Sequence, residues 1–238
     1  MKVINPFAKK KKPVSANVET QQASSDLKDG KKRVHNLIIL DESGSMHSIY
    51  RPALSGVNET LQTIRQAQTD YPNQQHFVSL ITFDTSHFNQ IYSNTPAEKA
   101  VDITEEQYRP GGGTPLYDAM GRSITELRRH VAKDDVVLVT VITDGYENAS
   151  HEYSGQAIKS LVEEMKKENW VFTYIGANQD VEAVAGAMSI DNHLAFDAGE
   201  HSTNVMFAKE CSSRQRFFAR VEDGAPCSGC SDYFDSEE

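Results

Sequence analysis

The sequence predicts an α/β domain built on a doubly wound, mostly parallel sheet with one antiparallel edge strand and helices on both faces. Three observations carry this expectation. Apolar runs of strand length alternate with segments whose apolar residues recur every three or four positions, as in successive βαβ units. Two of the runs, residues 34–40 and 136–142, are nearly continuous in Val, Ile and Leu, the composition of strands buried on both faces. Both run into a carboxylate: Asp41 directly follows the first, and Asp144 stands two residues beyond the second.

The elements follow in order. After the first strand, Leu54, Val57, Leu61 and Ile64 mark a helix, which Tyr71-Pro72-Asn73 ends. Residues 76–83 form the second strand and residues 88–92 a third. The connection between them, residues 84–87, is too short for a parallel crossover, so the third strand pairs antiparallel at the sheet edge. A stripe of Leu116, Met120, Ile124, Leu127 and Val131 predicts the next helix, with Pro115 in its first turn, where a missing N–H costs nothing. Beyond the 136–142 strand, Ile158, Leu161, Val162 and Met165 mark a helix, and residues 170–175 a strand closed by Gly176. A short helix through Val181, Val184, Ala185 and Met188, a short strand at 194–196 and a helix over 203–218 complete the unit.

At 238 residues the chain holds one sizeable domain with tails and needs no disulfide staples. The expected division is a basic, unfolded tail over 1–32, the domain over 33–221, and an acidic, unfolded tail over 222–238. Residues 1–33 carry nine Lys/Arg against three Asp/Glu, which leaves the remainder strongly acidic within a total of −10. An acidic body excludes nucleic acid as its ligand, because neutralising phosphates needs a basic face. The run Lys9 to Lys12 reads as a solvated tail, with contact to a polyanion or a membrane surface as its alternative. No secretion signal or membrane-spanning stretch is present, so the expected location is the cytoplasm. Cys211, Cys227 and Cys230 make a poor disulfide framework; Cys227 and Cys230 have the spacing of half a zinc site or of a redox pair, but no second Cys pair exists, and reduced tail thiols are the simpler reading.

Chemistry concentrates in three loops. Asp41, Ser43 and Ser45 follow the first strand, and the carboxyl ends of strands in an open α/β sheet are where ligands bind. An oxygen-only donor set suits a hard divalent cation, Mg2+ before Mn2+ or Ca2+. The second loop is Gly111-Gly112-Gly113-Thr114-Pro115, and the third is Thr143-Asp144-Gly145. At these positions the chain resembles the von Willebrand factor A domain family with its metal-ion-dependent adhesion site. The match covers Asp41, Ser43, Ser45, Thr114 and Asp144. The resemblance implies a non-enzymatic interaction module in which a bound cation takes up a carboxylate from a partner protein. It also implies that the glycines let Thr114 approach or leave the metal, and that an AAA-type ATPase is a candidate partner.

Enzymatic alternatives start from the same residues. A nucleotide-binding loop is suggested by the three glycines, but no Gly-Lys-Ser or Gly-Lys-Thr follows them. A Mg2+-dependent phosphoryl-transfer site would use Asp41 as nucleophile, yet Ser43 stands where the general acid belongs. A hydrolase triad lacks its Gly-x-Ser-x-Gly elbow. Nearby, Glu42 and His47 read as exposed loop residues, Asp118 as a charge stabilising a helix N-terminus, and Asp84 as a turn residue.

Overall fold

The computed structural model describes residues 30–225 and 230–235. Six strands form one sheet in the order β3-β2-β1-β4-β5-β6. The central strand β1 (Lys32–Asp41) pairs in parallel with β2 (Gln74–Phe83) and β4 (Val136–Thr143), while β5 (Trp170–Ala177) and β6 (Asn192–Phe196) extend the parallel ladder. Strand β3 (Phe88–Pro96) runs antiparallel to β2 at the edge, as the short 84–87 connection requires. Its register shifts between Val78 and Leu80 and again between Leu80 and Ile81, and Asn94 takes a positive φ of 44° beside these irregularities.

Alternation along β1 divides the core into two layers. Val34, Ile38 and Leu40 face α1 (Tyr50–Asp70) and α5 (Glu200–Glu222). Leu37 and Ile39 face α2 (Leu116–Leu127), α3 (Gly155–Met165) and α4 (Val181–Ala187). Helices therefore cover both faces. Helices α1 and α5 pack closely at Gly56: a Cβ there would lie 2.0 Å from the Phe207 ring, so no larger residue fits without displacing that ring. Val131 falls beyond the end of α2, and Pro115 caps that helix instead of entering it. A 3-10 turn, Gly44–Ile49, that sequence periodicity does not reveal connects β1 to α1.

The layer under α5 contains a buried charge. Arg214 is fully buried and donates to Glu210 Oε1 from Nε (2.9 Å) and Nη2 (2.7 Å), to Asn36 Oδ1 on β1 (2.8 Å) and to Thr140 Oγ1 on β4 (2.8 Å). A guanidinium suits this position because its fixed fork of donors can serve three elements at once. His76 lies in the same layer, edge-on to Phe218 at 4.5 Å, and neither of its ring nitrogens has a hydrogen-bond partner. Burial, with the Arg214 charge, pushes its pKa down to about 4.

The C-terminal segment corrects one expectation. An acidic tail unfolded from Glu222 does not describe residues 230–235, where Tyr233 and Phe234 are 5% and 7% exposed and belong to the core under α5. Tyr233 donates its hydroxyl to Glu210 Oε1 (3.1 Å) and its N–H to Asn192 Oδ1 (3.1 Å), while Asn192 Nδ2 donates to the Cys230 carbonyl (2.8 Å). Composition averaged over the segment hides two adjacent aromatics that suffice to anchor it. Helix α5 also runs four residues past 218. The basic segment through residue 29 and Cys227 lie outside the described residues.

Two outcomes follow from this packing. Ending the chain after Ala225 is expected to lower unfolding stability by about 3 kcal/mol, the transfer cost of exposing two aromatics; an unchanged urea midpoint would contradict the anchor. A neutral buried His76 also makes the unfolded state bind the extra proton between its ordinary pKa near 6.5 and the native value of about 4. Stability should therefore fall as pH drops through that window, and His76→Leu should remove that part of the slope in parallel pH-dependent melts.

Candidate functional site

Strand order reverses between β1 and β4, because the chain leaves β1 toward β2 on one side and returns as β4 on the other. The carboxyl ends of these two strands therefore bound the crevice of the sheet. Asp41 ends β1 and is fully buried. Its Oδ1 accepts the Ser43 N–H (2.7 Å) and its Oδ2 the Thr143 hydroxyl (2.6 Å). Burial raises its pKa to about 6, an effect these two bonds only partly offset and the Asp144 charge slightly increases.

A chain of hydrogen bonds leads from there across the crevice. Ser43 Oγ lies 3.2 Å from Ser45 Oγ, and the Ser45 hydroxyl donates to Asp144 Oδ1. Asp144 Oδ2 is buried without a partner, and burial raises the pKa of this carboxyl too. Thr114 is 2% exposed, and its hydroxyl bonds none of these four residues. It nevertheless borders the same space: a Cβ built on Gly145 would lie 3.4 Å from Ser45 Oγ and 3.9 Å from Thr114 Oγ1. The structure thus links Asp41, Ser43, Ser45 and Asp144, with Thr114 beside them.

A second layer fixes the loops. The Gly111 N–H donates to the Glu42 carbonyl (2.8 Å), the Gly44 N–H to the Gly112 carbonyl (3.1 Å) and the Gly113 N–H to Thr85 Oγ1 (3.2 Å). Gly112 has a φ of +64°, so the turn here needs glycine. In this arrangement the glycine loop is tied to the first loop by these bonds. Glu42 is not an exposed loop residue: it is 4% exposed, and its Oε1 accepts the Arg109 N–H. Tyr108 donates its hydroxyl to the Asp41 carbonyl (3.0 Å), and Asn148 accepts the Thr114 N–H (2.8 Å). His47 is exposed.

Asp118 serves the third loop, not only its own helix. Burial raises its pKa, but the N–H groups of His151, Tyr153 and Glu152, each at 2.8 Å, bring it below the usual carboxylate value. Asp84 is a turn residue as expected, accepting the N–H groups of Ser86 and His87 at 2.6 Å each. Tyr108 and Asn148 gave no sequence signal of their own, and Thr143 stood in the third loop without an assigned role. The apolar strand register places Thr143 next to Asp41, and that register is visible only once the sheet is assembled.

Among the described residues, no three His, Cys, Asp or Glu side chains converge as a metal-ion cluster. The set here has two carboxylates and completes itself with hydroxyls. Its donors fit a hard divalent cation on two counts: all are oxygens, and the buried, unpartnered Asp144 Oδ2 beside a second buried carboxylate leaves negative charge uncompensated.

Fold and site together define a doubly wound α/β domain with a cup of hydroxyls and carboxylates at its switch point. The chain belongs to the von Willebrand factor type A domain family, which matches residues 37–214. No curated protein matches the chain. Among solved structures it is similar to the PilB minor pilin from Streptococcus sanguinis, at 14% identity and a TM-score of 0.53, covering 81% of this chain and 64% of the pilin. It is similar also to the open form of the pilus adhesin SpaC from Lactobacillus rhamnosus GG, at 14% identity and a TM-score of 0.57 over 79% of this chain and 30% of the adhesin. The vWF domain of the type V pili tip protein Mfa5 from Porphyromonas gingivalis matches at 9% identity with a TM-score of 0.53, covering 82% of this chain and 96% of that domain. At these identities the likeness establishes the fold. The chain spans less than two thirds of the pilin and under a third of the adhesin.

The uncompensated charge has a measurable consequence. In EDTA, Asp144→Asn is expected to raise stability by about 1 kcal/mol, because it removes one of two buried charges and keeps the shape and the Ser45 contact. A drop in melting temperature would mean that the ionised carboxylate is already well satisfied.

Proposed function

We propose that the chain is a non-enzymatic protein-interaction module that works through a divalent cation held by Asp41, Ser43, Ser45, Thr114 and Asp144. The observation that carries the reading is the buried Asp144 Oδ2, unpartnered and joined through Ser45 and Ser43 to the neighbourhood of Asp41. Mg2+ is the favoured ion, with Mn2+ or Ca2+ as substitutes. Such an ion supplies a positive centre that a carboxylate from a partner protein can join. The chain's own residues set the strength of that centre: Asp41 and Asp144 together balance a divalent charge, whereas the serine and threonine hydroxyls are neutral. Thr143 holds Asp41 in one orientation, and Asn148 holds the backbone of Thr114.

The enzymatic reading loses support at Ser43, whose hydroxyl lies 3.2 Å from another hydroxyl and has no carboxylate to act as acid in its place. For the partner, the family resemblance makes an AAA-type ATPase the first candidate to test. The reading carries with it the cytoplasmic location expected from the sequence. In the described residues, no helix is long and apolar enough to cross a membrane.

Mg2+ or Mn2+ should raise the melting temperature in a concentration-dependent way, with an added stability of about 2.7 kcal/mol at a hundredfold excess over Kd. Asp41→Ala should abolish that rise. Thr114→Ala should keep most of it and lose capture of a carboxylate-bearing partner. Equal metal response in wild type and Asp41→Ala would exclude this site.

A further inference from the structure

The segments at the carboxyl ends of the parallel strands, residues 42–49, 84–87, 100–115, 144–154, 178–180 and 197–199, carry Asp and Glu and contain no lysine. Their only arginine is Arg109, and Arg51 stands in the first turn of the helix that follows the first of them. Of the chain's ten arginines, eight form an ion pair or a side-chain hydrogen bond. The other two are these same residues, which are exposed and have no such partner among the described residues.

Both stand beside the first loop of the site. The Arg109 N–H is held on Glu42, the residue between Asp41 and Ser43. Arg51 follows the 3-10 turn Gly44–Ile49 that carries Ser45. Tyr50 and Tyr108, the residues that immediately precede the two arginines, pack on each other, which brings residues 51 and 109 to the same edge of the site. The Tyr50 ring stacks on Tyr108 with centroids 5.7 Å apart, and Tyr108 is bonded to the Asp41 carbonyl. The stacked pair and the Glu42 contact thus tie the backbone of both arginines to the loop that carries Asp41 and Ser43.

Arg51 also stands where helix energetics disfavour it. It lies in the first turn of α1, which contains no acidic residue, and a cation there opposes the helix macrodipole. Neither helix stability nor a local ion pair accounts for it.

We infer that Arg51 and Arg109 recognise a second carboxylate on the partner, so that the module reads an acidic segment with one acid for the cation and another for the arginine pair. This rests on the metal-bridged reading above. Elsewhere the face is acidic and repels such a segment, so the two unpaired guanidiniums fix where and in which direction it docks. Arginine suits the role because its planar fork can hold a carboxylate with two parallel hydrogen bonds.

The test is a selection of random displayed peptides on immobilised full-length protein, in Mg2+ and in EDTA, with wild type, the Arg51→Ala/Arg109→Ala double variant and Ser45→Ala. The expected result is Mg2+-dependent enrichment of peptides with two acids at a fixed spacing. The double variant should lose the preference for the second acid and bind a resynthesised wild-type-selected peptide about fivefold more weakly, as two exposed ion pairs allow. Its metal-induced rise in melting temperature should be unchanged, and Arg51→Ala alone should melt no lower than wild type. Single-acid peptides enriched equally by wild type and the double variant would overturn the inference and leave the metal site standing. Enrichment that ignores EDTA or Ser45→Ala, or no enrichment in Mg2+, would overturn both.

Discussion

Arg214 is the group on which the architecture converges. Its guanidinium is fully buried, and from one point it reaches β1 through Asn36, β4 through Thr140 and its own helix through Glu210. The strands it joins are the two whose far ends carry Asp41 and Asp144. A buried pair of this kind adds little net stability compared with an apolar core, because desolvation offsets most of the attraction. Its value lies in geometry: the bonds can all be made in one placement of α5 on the sheet, and any slide leaves a charge uncompensated. Tyr233 closes the network by bonding the same Glu210 oxygen, so the C-terminal segment belongs to that placement as well.

Much of this could be read in the sequence, for a physical reason. Strands buried on both faces must be continuously apolar, so β1 and β4 announce themselves and the residues that end them stand out. The antiparallel edge strand followed from loop length alone. Asp41, Ser43, Ser45 and Asp144 were visible because they stand at or just past strand ends, where local pattern changes abruptly, and Thr114 because three glycines lead into a helix beside it. What stayed hidden depends on pairs far apart in the chain. Asn36 and Arg214 are 178 residues apart, and either alone reads as an ordinary polar residue in an apolar run or on a helix. Thr143 looks like the last residue of a strand until register sets it against Asp41. Tyr233 and Phe234 were masked by the acids around them.

Polar satisfaction separates the site from its supports. Around it, Asp118 and Asp84 have carboxylate oxygens occupied by backbone N–H groups, which hold the loops to one another. At its centre, Asp144 keeps an oxygen without a partner and Asp41 has a carboxyl that burial makes reluctant to ionise. Completed bonds at Asp118 and Asp84 thus flank incomplete ones at Asp144 Oδ2 and at Glu42 Oε2.

The irregular edge of the sheet has a separate consequence. A straight outer strand would offer its free amides and carbonyls to any extended chain, another copy of the protein included. Here the shifts in register opposite Val78 and Leu80, with Asn94 in a left-handed conformation, bend β3 away from a regular row of donors and acceptors. An edge interrupted in this way is a poor template for a further strand, so the side of the sheet at β3 is closed to pairing while the strand ends stay open.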